Sequence, residues 1–478
     1  MKMKMSYYLA KKLSDYLAEK CETCGEERIK SVFKLLVNRK KRLCSSCKIT
    51  WRIIDAVIQS LSLYLKISKG FLLKLIEKPP YQRAIINLVK GISTFGVMKP
   101  QPTNVPVVIV WNFTNKCNLN CLHCHQDSIS YIGQEYNELN TEQGFRVIEN
   151  MANAGVSVLT FSGGEPLTRS DLFELVQYAS SNDLLCTVAT NGTLLTHEIA
   201  DKMITAGVKR IEIGLDGIHP EIHDGFRNTP GAFEKTVEGI KICAENGNFQ
   251  EIAVTMTLNK LNVNEIPKII EFAEELGATR FYLNRLIPAG RGARILDQYD
   301  VTQQEKFAAL KSLYEKLSTS ITQGHGIKVY ARGMTYYARY SYTRSKGKIF
   351  TVGETLSGYD NLPEFDGSGY ELSKIVHRFA SGFGGCTAGI TYAGLTPQGD
   401  LQPCVPTPLT VGNLLEDDLE NIWVNSKLLN YIRRRNSLKG HCGDCQFNFL
   451  CGGCRFTGFI GSGDWLGPDV SCPYSHKT

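Results

Sequence analysis

The sequence predicts an α/β protein built on a partial, TIM-like (β/α)6 barrel, with a four-cysteine module and basic helices before it and a cysteine-rich domain after it. Three observations predict this. Strand and helix patterns alternate six times between residues 104 and 330, fourteen of the sixteen cysteines fall into three spaced groups, and charge is divided unevenly along the chain. A length of 478 residues leaves room for several domains and a large core. A hydrophobic share of 43% and a charged share of 21% exclude a disordered chain.

The first 50 residues carry Cys21-x2-Cys24-x19-Cys44-x2-Cys47, a four-thiolate pattern that suits one tetrahedral metal ion. A zinc ribbon and a rubredoxin-like iron site share these ligands, so zinc and iron both remain open. Arg39-Lys40-Lys41-Arg42 lies within the module, but aromatic residues for base stacking are sparse. That argues against a nucleic-acid partner, although a nucleic-acid-binding protein with structural clusters is the alternative from another class.

Residues 51–103 read as helical. Apolar residues recur at Ile54, Val57, Ile58, Leu61 and Leu65, then at Phe71, Leu72, Leu75 and Ile76, with Pro79-Pro80 dividing the region. Residues 1–100 hold 21 Lys and Arg against 7 Asp and Glu, a charge of +14, whereas the whole chain is only +7. Two readings follow for residues 51–98: a small domain packed on the barrel, or interfacial helices on an anionic membrane, flanked by Lys66, Lys69, Lys74, Lys78, Arg83 and Lys90. No apolar run is long enough to span a membrane and the N-terminus lacks a cleavable signal. The expected location is the cytoplasm, with peripheral contact on the inner face of the membrane as an extension.

The barrel segment begins with VPVVIVWNF as strand one and closes with TRFYLNRLIPAG as strand six, with amphipathic helices between. In parallel barrels, sites form at the strand C-terminal ends. Cys117-x3-Cys121-x2-Cys124 follows strand one directly. Three thiolates bind three irons of a [4Fe–4S] cubane and leave the fourth open to chelate an amine and a carboxylate. Gly163-Gly164-Glu165-Pro166 ends strand two, Thr190-Asn191-Gly192 ends strand three and Leu215-Asp216-Gly217 ends strand four. Residues 331–385 read as a bridging insertion, and residues 386–478 as a metal-organised domain. Cys186 and Cys243 stand outside every group and read as buried apolar residues.

The triplet and the GGEP stretch together resemble the radical S-adenosylmethionine (SAM) superfamily over about residues 104–300. The resemblance implies that Cys117, Cys121 and Cys124 hold the cluster that reductively cleaves SAM to a 5′-deoxyadenosyl radical. It implies that Gly163, Gly164, Glu165 and Pro166 bind the methionyl amine. Arg227, in His223-Asp224-x2-Arg227, would meet the SAM carboxylate, and His123 stands where the family places an aromatic ring on adenine. Thr190, Asn191 and Asp216 would line the same site, with Thr257 and Asn259 within reach of adenine or ribose.

The C-terminal series Cys386, Cys404, Cys442, Cys445, Cys451, Cys454 and Cys472 resembles the SPASM domain, which implies two auxiliary [4Fe–4S] clusters. By that resemblance Cys442, Cys445, Cys451 and Cys472 hold the distal cluster. Cys386, Cys404 and Cys454 hold the proximal one, with one iron lacking a cysteine. CGGCRFTGF and GDWLGPDVSCPY are most similar to the haem-biosynthesis branch, whereas the metal inventory is similar to archaeal lipid-crosslinking members. The expectation ranked first is hydrogen abstraction from an unactivated carbon and carbon–carbon bond formation on a membrane lipid or isoprenoid chain. Tetrapyrrole modification and ribosomal peptide maturation are the alternatives. A low-potential electron donor and an anaerobic setting are expected with any of them.

Overall fold

The computed structural model describes residues 2–37, 43–65, 68–128, 137–323, 326–346 and 384–475. The basic run at residues 39–42, Lys66 and most of the expected bridging insertion lie outside the described residues.

Seven parallel strands form the body: β1 (Val108–Thr114), β2 (Val158–Gly163), β3 (Leu185–Thr190), β4 (Val208–Gly214), β5 (Glu251–Leu258), β6 (Arg280–Arg285) and β7 (Lys328–Arg332), paired in sequence order. The six expected strands are present and β7 adds a seventh. Successive crossovers run through helices such as α6 (Thr141–Ala154), α7 (Leu172–Ser181), α8 (His197–Ala206), α10 (Ala232–Asn246) and α11 (Ile266–Glu275). Local chemistry sets their ends. Asn140 and Gln143 form a capping box before α6, and Gly155 ends that helix in the left-handed region. Apolar residues such as Ile211, Val254, Phe281 and Val329 face these helices and fill the core. Cys186 and Cys243 are fully buried in that core, and burial pushes both thiols up to about 12, as inert core residues require.

The sheet is not closed. At its open edge β8 (Tyr392–Leu395), from the C-terminal domain, pairs in parallel with β1, with Val108 opposite Tyr392 and Trp111 opposite Leu395. β9 (Asp400–Gln402) and β10 (Gly412–Asn413) continue antiparallel, giving a ten-stranded sheet. Trp111 Nε1 donates to the Thr396 carbonyl (3.1 Å) and Trp423 Nε1 to the Thr103 carbonyl (2.8 Å), which fixes this junction. The boundary expected at residue 386 is therefore crossed by the sheet itself.

The N-terminal module is helical, which corrects the expected ribbon. Its elements are α1 (Lys2–Ala18), α2 (Arg28–Val37), α3 (Ser45–Leu65), α4 (Lys69–Ile76) and α5 (Pro79–Phe95). The only β pairing described there is the bridge between Lys20 and Glu27. Cys21 and Cys24 lie in the turn between α1 and α2 and Cys44 and Cys47 at the start of α3, while apolar residues at 3–4 spacing (Leu13, Tyr16 and Leu17) share a core with Ile29 and Phe33. Pro79 and Pro80 open α5, where their missing N–H groups leave no bond unmade.

α5 packs on the body. Arg83 donates to the carbonyls of Val156 (3.0 Å) and Asn182 (2.8 Å), and Asn87 donates to that of Gly155 (2.7 Å). Lys90 pairs with Glu420 of the C-terminal domain at 2.9 Å. Two of the basic residues considered for a membrane surface are thus committed to the protein itself. No described helix is long and apolar enough to cross a membrane.

Candidate active site

The strand ends converge on a cavity of about 470 Å³. Its lining includes Cys117, Cys121 and Cys124 on one side and Cys386, Cys404 and Cys454 on another. The initiating triad and the proximal auxiliary triad thus face one space. The other four C-terminal cysteines, Cys442, Cys445, Cys451 and Cys472, line a separate cavity of about 280 Å³.

The loop bearing the initiating triad packs around Leu119 and Ala232. Two glycines let β2 approach it. Gly164 N donates to the Thr114 carbonyl (2.6 Å) and Glu165 N to the Lys116 carbonyl (2.8 Å). A Cβ on Gly164 would overlap the Lys116 carbonyl, and one on Gly163, whose φ is +124°, would overlap that of Thr114. From the opposite side Gly290 and Gly292 pack against the backbone of residues 123–125. Arg291 then donates to the carbonyls of Cys121 (2.7 Å) and Ser128 (2.6 Å). These three residues were missed in the sequence, where Gly-x-Gly directly after strand six was the available signal.

Glu165 departs from its expected role. It is fully buried and accepts from Thr190 Oγ1 (2.8 Å), Asn191 N (2.8 Å) and Leu167 N (3.1 Å). Burial raises its pKa despite those donors. Neither Glu165 nor Pro166 lines the cavity. Glu165 therefore ties the end of β2 to that of β3, and the backbone of Gly163 and Gly164 lines the cavity. Asn191 Nδ2 donates to Asn118 Oδ1 (2.8 Å), so the Thr190-Asn191-Gly192 turn steadies the cysteine loop.

Asp216 is likewise a positioning residue, buried and outside the cavity lining. It accepts from Arg227 Nε (2.7 Å) and Thr257 N (2.7 Å). Burial would raise its pKa, but the Arg227 guanidinium holds it below the usual range. Arg227 lies across Gly214 into the cavity, where its remaining donors can meet a carboxylate. Thr257 also lines the cavity. Asn259 does not: its amide donates to the Thr257 carbonyl (3.0 Å) and accepts from Leu261 N (2.8 Å), closing its own turn.

His123 stacks on Phe226 with ring centroids 4.1 Å apart and planes 12° apart. Burial pulls its pKa down to about 3, so the ring is neutral. Its buried Nδ1 has no partner among the described residues, and the ring lines the cavity. A neutral ring with an unsatisfied nitrogen fits a planar heterocycle such as adenine.

His223 is fully buried and accepts from Asp216 N through Nδ1 (3.1 Å). Burial first, then Arg227, lowers its pKa from 6.5 to about 4. An unfolded chain takes up this proton below about 6.5, whereas the folded chain resists it down to about 4. Stability is thus intact above 6.5 and falls as pH drops through that window. We expect a loss of about 2 kcal/mol between pH 7 and pH 5. Thermal unfolding should show that slope flattened in His223→Gln, whose amide oxygen keeps the acceptor; equal slopes would disprove the assignment.

Beneath these residues the barrel lumen is charged. Arg332 makes a two-pronged pair with Glu212 (2.6 and 2.8 Å) and lies 3.6 Å over the Tyr282 ring. Arg280 and Arg210 approach Glu251 at 2.9 and 3.3 Å. Three arginines thus face two glutamates. Burial raises Glu251, whereas for Glu212 the burial effect is outweighed by Arg332. Sequence reading missed this network. Its signal was a polar residue at every second position of β4 and β6, between apolar neighbours.

The donor sets fit iron–sulfur clusters. Among the described residues, only the N-terminal four cysteines bring ligand atoms within 4.8 Å of one another. The other groups are spread more widely, as ligands meeting across a cubane are and ligands of one ion are not. Arginines surround the auxiliary cysteines, two of them buried. Arg339 Nη1 lies 3.8 Å from Cys445 Sγ, while Arg435 Nε and Arg455 Nη2 are buried without a described partner. Burial pulls Arg435 down to about 10. A negatively charged cluster would offset these cations.

An open parallel barrel with a three-cysteine loop after β1 and seven cysteines behind it defines a SAM-dependent radical enzyme. Residues 111–273 match the family described as the Radical SAM superfamily, and residues 386–446 match SPASM, an iron–sulfur cluster-binding domain. The AdoMet-dependent heme synthase of Methanosarcina barkeri is 34% identical over 78% of this chain and 97% of its own length. The mycofactocin maturase of Mycolicibacterium smegmatis is 27% identical over 77% of this chain and 83% of its own. SuiB of Streptococcus suis, in a structure bound to S-adenosylmethionine, superposes with a TM-score of 0.60 at 18% identity, covering 95% of both chains. The chain belongs to the radical SAM superfamily and carries a SPASM domain.

Proposed function

We propose that this protein cleaves SAM reductively and acts on a tetrapyrrole bearing carboxylate side chains. One observation carries the reading. A single cavity leads from the initiating triad, past an arginine-rich lumen, to the proximal auxiliary triad. A lipid or isoprenoid chain, the substrate ranked first from sequence, has no charge to meet the ionised side chains of this cavity. Arg210, Arg285 and Arg332 line it against Glu212 and Glu251, and the excess of positive charge suits an anionic substrate. The heme synthase and Fe-coproporphyrin III synthase of M. barkeri, 34% and 30% identical, support the same class.

When bound, SAM and the initiating cluster supply the radical that removes a hydrogen atom from substrate. The chain's own residues position the reactants. Gly163 and Gly164 present backbone groups to the methionyl amine, and Arg227, steadied by Asp216, meets the carboxylate. His123, backed by Phe226, packs on adenine. The lumen's excess of positive charge draws the substrate carboxylates, and the cavity walls exclude water from the reacting carbon. Cys386, Cys404 and Cys454 place an electron acceptor on the same cavity, which suits a net oxidation.

The test is anaerobic turnover with SAM, a strong reductant and either an iron porphyrin carrying propionates or a cell lipid extract. Mass spectrometry should show porphyrin conversion in step with 5′-deoxyadenosine. Conversion of lipid, or of a supplied peptide, with the porphyrin unchanged would overturn the reading. Arg332→Met leaves Glu212 without its strongest partner. We expect a loss of about 3 kcal/mol in thermal unfolding, together with a raised KM for the porphyrin. An unchanged KM would remove Arg332 from substrate binding.

A further inference from the structure

We propose that the N-terminal module binds one zinc ion on Cys21, Cys24, Cys44 and Cys47, as a redox-silent fastener that holds this helical module on the catalytic body.

The geometry is that of a mononuclear site. All four sulfurs lie within 4.8 Å of one another, with Cys21 Sγ 3.5 Å from Cys44 Sγ and Cys24 Sγ 3.7 Å from Cys47 Sγ. A tetrahedral ion with bonds of about 2.3 Å sets its sulfurs about 3.8 Å apart. Each pair comes from one local turn. Cys21 and Cys24 bracket a turn closed by Gly25 N donating to the Cys21 carbonyl (2.8 Å), where Gly25 has φ +73°. Cys44 and Cys47 open α3, and Cys47 N donates to Cys44 Sγ (3.4 Å). Cys21 and Cys47 are buried and Cys24 is exposed, so an ion could enter from solvent.

The surroundings favour a fastener over an electron carrier. None of these cysteines lines either of the two cavities that hold the other seven C-terminal and three initiating cysteines. The module's fully buried apolar residues are few, chiefly Leu17, Ile29, Val32, Phe33 and Ile58, and a small core gains most from a metal cross-link. The site also sits beside the docking contact. Glu27, three residues beyond Cys24, lies 4.0 Å from Lys90 of α5, and the same Lys90 Nζ reaches Glu420 of the C-terminal domain at 2.9 Å. Holding Cys24 therefore holds the end of a bridge that runs from the module through α5 to the body.

The test uses the full chain, purified anaerobically with its clusters intact. Metal analysis of wild type should give one zinc per chain beside the cluster iron. Cys24→Ser/Cys47→Ser should lose that zinc, keep its iron and sulfide, and become open to protease within residues 19–50. Iron in place of zinc, or no metal on these thiols, would overturn the assignment. So would a double variant that sheds zinc yet resists protease as wild type does. The wild-type zinc count needs no variant, so a misfolded double variant does not shield the proposal. Neither readout depends on the tetrapyrrole reading.

Discussion

Cys121→Ala should release no 5′-deoxyadenosine above an enzyme-free control. It should keep most of its iron, losing one cluster's worth. Cys121 is the buried member of the triad, in the loop where Arg291 and Leu119 fix the backbone. Removing its sulfur deprives one iron of its only protein ligand, and no other described cysteine lies in that loop besides Cys117 and Cys124. The auxiliary cysteines stand on separate elements, so their clusters should assemble. Iron and sulfide analysis with chromatographic detection of 5′-deoxyadenosine checks both parts. Residual SAM cleavage in this variant would remove the loop from the chemistry.

Gly164→Ala should be the most damaging change that touches no ligand. The added methyl meets the Lys116 carbonyl, one residue before Cys117, so the loop must shift or β2 must part from it. Overpacking of this kind costs about 1–3 kcal/mol. Displacing reacting groups by an ångström costs about a hundredfold in rate. We expect a loss of that order in 5′-deoxyadenosine formation, with the auxiliary clusters intact. Gly225→Ala, in the helix α9 (Pro220–Arg227), is the control: a Cβ there meets nothing within 4 Å. Equal rates for the two variants would show that the close approach at Gly164 is not needed.

Much of the body was legible because its strands are short, apolar and bounded by helices with clear periodicity. The cysteine spacings were legible because ligand chemistry leaves few alternatives. Other features depended on partners distant in sequence. Glu165 read as a ligand-binding carboxylate, yet Thr190 and Asn191, some 25 residues on, occupy it. Asn259 read as within reach of adenine or ribose and is satisfied by its own turn. The four-cysteine spacing names the ligands but not the scaffold, so a ribbon was expected where helices stand. In Val208–Gly214 the alternation of Arg210 and Glu212 with isoleucines was visible, but only the closing of the lumen shows that these charges meet Glu251 and Arg332.

The parallel pairing of β8 with β1 has a consequence for how this protein can be taken apart. A shortened chain ending before residue 392 would bare one rim of β1, and a naked rim recruits strands from other molecules. The last ninety residues are therefore no detachable cassette to be exchanged among relatives. They complete the same sheet whose strand ends carry the initiating loop, so a productive chimera would have to trade both together.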